Sequence, residues 1–210
     1  MIQFSNLGCI FFLTILIAHL GKFILAAHQM ALQFYGLLIA LPYALSRVIC
    51  IRIGHLLGSQ EEQKLIYAVR AGIFISCVLT TLIIILFLSY KTLLLKINFL
   101  TSQSQSNNLT YETLRLFPAV ALCVFISSFR NIFRSILRSF EDSMYIFLST
   151  IISLWLIAIP VAYFLAFNLY LDAIGIWIGY GVGLFVSALL MLDRTYQLLS
   201  LRAHRLGLKK

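Results

Sequence analysis

The chain has 210 residues, of which 61% are hydrophobic and only 11% charged, and its mean hydropathy is +0.98. So much apolar surface with so little charge excludes an ordinary water-soluble domain and implies a membrane protein. The net charge of +9 comes from Lys and Arg placed between hydrophobic runs, with no basic face of interleaved aromatics, which argues against a nucleic-acid partner and for the lipid bilayer, anionic lipid in particular.

Six apolar stretches long enough to cross a bilayer follow one another, at 2–20, 23–51, 71–90, 114–133, 144–167 and 173–192. The expected fold class is therefore all-α, an integral membrane bundle of six transmembrane helices. The first stretch has no positive segment before it and no clear small-residue cleavage site after it, which argues against a cleaved signal peptide. The second is longer than one crossing needs, so it tilts or extends past the membrane surface. Prolines 42, 118 and 160 lie inside the second, fourth and fifth, where freed backbone groups must be satisfied by neighbouring helices or a water-lined cavity.

All seven acidic residues fall at the ends of these stretches or between them, as expected when an ionised group at the bilayer centre costs about 2.5–3.5 kcal/mol. With the N-terminus in the cytoplasm, twelve of the sixteen Lys and Arg residues fall on the cytoplasmic side and only Lys22, Lys91, Lys96 and Arg115 on the other. That asymmetry places both termini in the cytoplasm. The expected organisation is a six-helix lobe over 1–198 and a basic cytoplasmic tail over 199–210. The longest polar loop, 101–111, faces outward and contains the sequon Asn108-Leu109-Thr110, which short-motif statistics leave without weight.

Within the second stretch, Leu25-Ala26-Ala27-His28-Gln29-Met30-Ala31-Leu32-Gln33 sets three polar side chains in an apolar helix, with Gln29 and Gln33 one turn apart on one face. Such a face either hydrogen-bonds to a neighbouring helix as packing glue or lines a substrate pathway. Arg130, Arg134 and Arg138 form a single stripe near the cytoplasmic end of the fourth stretch, read either as side chains reaching lipid phosphates or as a gate. Gly175, Gly179 and Gly183 let another backbone approach the last helix, for packing first and oligomerisation second. Cys9, Cys50, Cys77 and Cys123 stand singly as small core residues without metal-ligand spacing. No Ser/His/Asp set, Walker loop, HExxH or useful carboxylate pair occurs, so enzyme activity and a bound cofactor have no support.

Three strings, Leu25 to Leu32, Cys50-Ile51-Arg52-Ile53-Gly54-His55-Leu56-Leu57-Gly58, and Gly175-Ile176-Trp177-Ile178-Gly179, together resemble the multidrug and toxic compound extrusion (MATE) family, its bacterial drug/sodium-antiporter branch in particular. Pro160 and Tyr163 match the penultimate helix, whereas Leu137-Arg138-Ser139 stands where the family usually has LRG. The resemblance implies the second of two six-helix lobes related by a parallel repeat. It also implies export of organic cations or other drug-like substrates by Na+ or H+ antiport from a bacterial inner membrane. The missing first lobe is then explained by a truncated gene, a separate N-terminal lobe, or a homodimer.

The resemblance further implies an acidic residue near the coupling cation in the first helix and another in the fourth. Those neighbourhoods here read Ser5-Asn6-Leu7 and Ile126-Ser127-Ser128, with no carboxylate. Asn6, Gln29, Gln33, Ser127 and Asn131 are the polar residues expected nearest the substrate and ion pathway. A lipid-linked saccharide flippase of the same superfamily and a non-transporting membrane interaction protein are the alternatives; the AAHQ and RIGHLLG strings favour the drug branch.

Overall fold

The computed structural model describes residues 2–59, 62–90 and 107–205, with side chains over 2–59, 64–90 and 109–200. Lys91, Lys96 and residues 101–106 of the expected outward loop lie outside the described residues, as do Glu61 and the final lysines. Among the described residues six helices follow in order: α1 Ile2–Ala18, α2 Lys22–Gly58, α3 Glu62–Ser89, α4 Asn107–Ser139, α5 Ser143–Asn168 and α6 Asp172–Arg205. Five are long and apolar enough to cross a membrane, and α1, with 17 residues, is a shorter apolar helix at the lower end of what a bilayer needs.

Each helix matches its predicted apolar stretch, which α2, α4, α5 and α6 contain entirely, while α1 stops two residues short of its own and α3 one. Yet α3, α4 and α6 run several residues beyond theirs: α4 already includes the sequon and α6 continues through the boundary expected at 198. Hydropathy marks only the part immersed in hydrocarbon, whereas a helix satisfies its backbone bonds equally well on through the headgroup layer. Gly21, with φ 119°, makes the tight connection from α1 to α2 in a conformation that side chains disfavour.

The centre of the bundle is α4, which packs on α2, α3, α5 and α6. Of its most apolar stretch 67% is buried, against 22% in α2 and in α3, so α4 is the core helix and α3 belongs to the lipid boundary. The exposed Phe74, Val78, Leu82 and Ile85 of α3 fit that position.

Two π-helical stretches of α5, Ile152–Ala158 and Phe164–Asn168, flank Pro160. Proline lacks the N–H that an α-helix would bond four residues back, and the wider turns relieve the misfit. Gly175, Gly179 and Gly183 of α6 lie against this same helix. A Cβ at Gly175 would meet the Leu165 carbonyl carbon at 2.7 Å, and one at Gly179 or Gly183 would overlap Ala162 or Ala158. The glycine stripe therefore packs α6 onto α5 within the bundle.

One apolar core joins Cys9, Leu13, Ala31, Val120, Ala158, Trp177 and Leu184; a second, toward the other end of α4, joins Ile53, Leu65, Ile132, Ile136, Ile146 and Met191. Along α4 the first uses Leu116 to Val124 and the second Ile132 to Leu137, so residues 127–131 fall between them. That interval is polar: Ser127, Ser128, Arg130 and Asn131 are all buried.

Candidate functional site

Side chains from α1, α2, α4 and α6 open this polar layer into a recess of about 280 Å3, lined by Asn6, Tyr35, Tyr43, Ser127, Arg130, Asn131, Arg134 and Tyr180 among others. Arg130 is only 4% exposed and Arg134 only 9%, so neither reaches out to lipid phosphates; the same stripe carries them from the core toward the surface, and Arg138 is half-buried outside the recess. The Arg130 guanidinium donates from Nε to Ser187 Oγ at 3.0 Å, and from Nη2 to Asn6 Oδ1 at 2.9 Å and Thr150 Oγ1 at 3.4 Å. Arg134 donates to the Asn131 side-chain oxygen one turn back.

All of these acceptors are neutral. Among the described residues the ion pairs are Arg115 with Glu112 and Arg194 with Asp142, at the two ends of the bundle, and no Asp or Glu lines the recess. Hydrogen bonds to a charged group are each worth roughly 1.5–3 kcal/mol, which offsets part of a desolvation cost of several kcal/mol per buried ion. A net positive field remains at the recess wall.

The other walls are aromatic. The Tyr35 and Ser127 hydroxyls lie 2.6 Å apart, and the Tyr35 ring meets Trp177 and Tyr180 edge-on at 5.8 and 6.3 Å. Tyr43 takes the amide of Gln3 at 3.0 Å and the guanidinium of Arg47 at 2.5 Å. His28, buried at 3% exposure, faces inward instead: its Nε2 is 3.1 Å from Thr14 Oγ1 and its ring edge meets Trp177.

Five of the residues singled out from the sequence, Asn6, Ser127, Arg130, Asn131 and Arg134, thus come together in one recess. Gln29 and Gln33 do not join them. Both are exposed, on a face of α2 that continues through Gly36, Ala40 and Ala44 to Arg47, beside the stripe of Tyr35, Ile39 and Tyr43. Sequence reading missed Tyr35, Tyr43, Thr150, Ser187 and Tyr180; the available signal was the eight-residue spacing of Tyr35 and Tyr43, two steps of four along one helix face, and the isolated hydroxyls in apolar α5 and α6. Where the family's LRG glycine is replaced, Ser139 ties the end of α4 to α2 by donating to the Cys50 carbonyl at 2.9 Å.

Larger recesses exist, one of about 490 Å3 between α3, α4 and α6, but its lining is Ile73, Phe125, Phe129, Phe185, Leu189 and similar side chains. Acyl chains suit such a groove, and it offers a ligand little to orient on.

Known proteins match this arrangement. The MatE family profile matches residues 1–164. A probable multidrug resistance protein NorM of Buchnera aphidicola subsp. Baizongia pistaciae is 30% identical over 188 residues, covering 88% of this chain and 41% of that protein. Multidrug resistance protein NorM of Vibrio cholerae is 30% identical over 189 residues, covering 88% and 40%. The chain therefore spans about 40% of the length of the curated relatives it matches. Among solved structures, the eukaryotic MATE transporter AtDTX14 superposes with a TM-score of 0.78 at 20% identity, over 87% of this chain and 40% of that one. The outward-facing form of a multidrug resistance MATE family transporter of the MOP superfamily superposes with a TM-score of 0.83 at 17% identity, over 95% and 44%. Sequence and fold lead to one conclusion: the chain is a membrane protein of the MATE family.

Proposed function

We propose that this chain forms one lobe of a MATE-type exporter of drug-like organic compounds, rocking against a second lobe so that a shared cavity opens alternately to the two sides of a bacterial inner membrane, with both termini cytoplasmic. The second lobe comes from the rest of a longer chain, a separate chain or a second copy of this one. The observation that carries this reading is the exposed face of α2. Gln29 and Gln33 stand outward on an otherwise apolar helix, followed by the small Gly36, Ala40 and Ala44. An amide held in hydrocarbon without a partner costs several kcal/mol, so the face belongs against water or a partner, and small residues leave room for one.

A ligand passing along this face would meet the amides of Gln29 and Gln33 and then the recess. Organic cations are what the family resemblance implies, but two guanidiniums without a carboxylate make the recess a poor seat for one. Coupling to H+ then falls to carboxylates of the second lobe, since Asn6 and Ser127 can offer oxygen to Na+ but cannot exchange a proton near neutral pH.

Dye accumulation in cells stripped of their own exporters tests the reading, with this chain expressed alone and together with the first lobe of a NorM relative. Reduced accumulation on co-expression, lost in the Gln29→Leu/Gln33→Leu double variant, is the expected result. Unchanged accumulation under both conditions would leave an inserted bundle without transport.

A further inference from the structure

We infer that the recess between α1, α2, α4 and α6 binds an organic anion, its carboxylate held by Arg130 and Arg134. The inference rests on reading this recess as part of the lobe's ligand-facing wall, and names the class of ligand it takes.

The electrostatics come first. Arg130 and Arg134 are one turn apart on the same face of α4, both at least nine-tenths buried, and both line the same recess. The Arg130 guanidinium is held inward by side chains of α1, α5 and α6, which fix it in the recess. Its hydrogen bonds use Nε and Nη2, and among the described residues nothing accepts from Nη1. Arg134 bonds only through Nη2. Two guanidiniums that share one recess repel each other, and a diffusible anion between them removes that repulsion and takes up the unused N–H groups at once.

The shape selects among anions. A guanidinium presents parallel N–H groups in a planar fork that matches a carboxylate in bidentate fashion. Beside the arginines the recess carries the polar Gln3, Asn6, Ser127 and Asn131, and the larger part of its wall is apolar and aromatic, made by Leu7, Ile10, Ile39, Tyr35 and Tyr180. That surface gains from burying a hydrocarbon or aromatic body and gives nothing to a small hydrated ion. About 280 Å3 falls just under the ~300–1,000 Å3 typical of drug-sized sites, so a single-ring acid fits entirely and a larger one extends toward the Gln33 face.

Benzoate, with its near-isosteric neutral and cationic counterparts benzamide and benzamidine, makes the test. Thermal unfolding of the purified full chain in non-ionic detergent is followed with each compound. Saturating benzoate is expected to raise the midpoint by about 5 °C or more, while benzamide and benzamidine leave it unmoved. The Arg134→Gln variant weakens benzoate at least tenfold, and Arg130→Lys, which keeps the charge but loses the fork, weakens it as well. Should Arg130→Lys not fold, Arg134→Gln decides alone, because Arg134 makes a single hydrogen bond and its loss leaves the α1–α4 contact intact. Equal shifts with all three compounds, no shift with benzoate, or a benzoate shift kept in Arg134→Gln would each overturn the inference. Binding is read without transport, so a missing shift beside intact efflux sinks the anion site alone, and a retained shift without efflux sinks the exporter reading alone.

Discussion

Arg130 Nη2 and Asn6 Oδ1, 124 positions apart in the chain, meet at 2.9 Å and join α4 to α1 across the polar layer. The contact puts a neutral acceptor where the family resemblance implies an acid. It also makes α1, the shortest helix, part of the site through one charged hydrogen bond.

Asn6 is accordingly the position at which charge can be adjusted. Asn6→Leu removes an acceptor from a buried cation and is expected to lower stability by about 2 kcal/mol. Asn6→Asp supplies the missing counter-charge to an ion that is already buried, so the unfolding midpoint in detergent should rise above that of the parent. A midpoint for Asn6→Asp at or below that of Asn6→Leu would contradict a charged, uncompensated Arg130.

The glycine stripe gives a contrast between close packing and open surface. Gly183 lies against Ala158 and the Ser153 carbonyl, whereas a Cβ at Gly36 meets nothing within 4 Å. Gly183→Val must push α6 off α5 and should abolish recovery of monodisperse protein. Gly36→Ala should be neutral or stabilising by up to ~1 kcal/mol through helix propensity. Size-exclusion profiles and melting curves of the two variants check this; equal behaviour would mean that α5 and α6 do not pack as described.

The α4–α5 turn contains a residue that resists its own conformation. Glu141 has φ 62°, its N–H donates to the Arg138 carbonyl at 3.0 Å, and the Asp142 N–H donates to that of Leu137 at 3.1 Å. This is a Schellman close, in which the left-handed position is usually glycine. Glu141→Gly should stabilise the fold by about 0.5–1 kcal/mol, the left-handed penalty less the entropy of glycine. Thermal unfolding would show it, and a destabilised variant would mean that the Glu141 side chain holds a contact worth more than the strain.

The six helices were legible because a bilayer demands long apolar runs, and the neighbourhoods of Asn6 and Ser127 drew notice only through family likeness. What stayed hidden was which way each helix faces. In water, polar residues mark the outside of a helix; in lipid, a core side chain and a boundary side chain are equally apolar. Thus Leu82 and Leu184 read alike in sequence, yet one is exposed and the other fully buried. The arginine stripe misleads for the same reason, since Arg130 and Arg138 share a face of α4 while that face passes from the core toward the surface. The π-helical turns around Pro160 leave no periodicity to read, because an inserted residue shifts the pattern within a run that is apolar on every side.

The account depends most on the outward glutamine face of α2 meeting water rather than acyl chains. Its most direct test is cysteine labelling in intact membranes by a water-soluble maleimide, on a background with all four native cysteines replaced, comparing Gln33→Cys with Leu82→Cys on the lipid side of α3. Rapid labelling at position 33 with none at position 82, in membranes where a first lobe is co-expressed, is the predicted result. Equal, negligible labelling at both positions would put Gln33 in hydrocarbon and contradict a shared aqueous cavity.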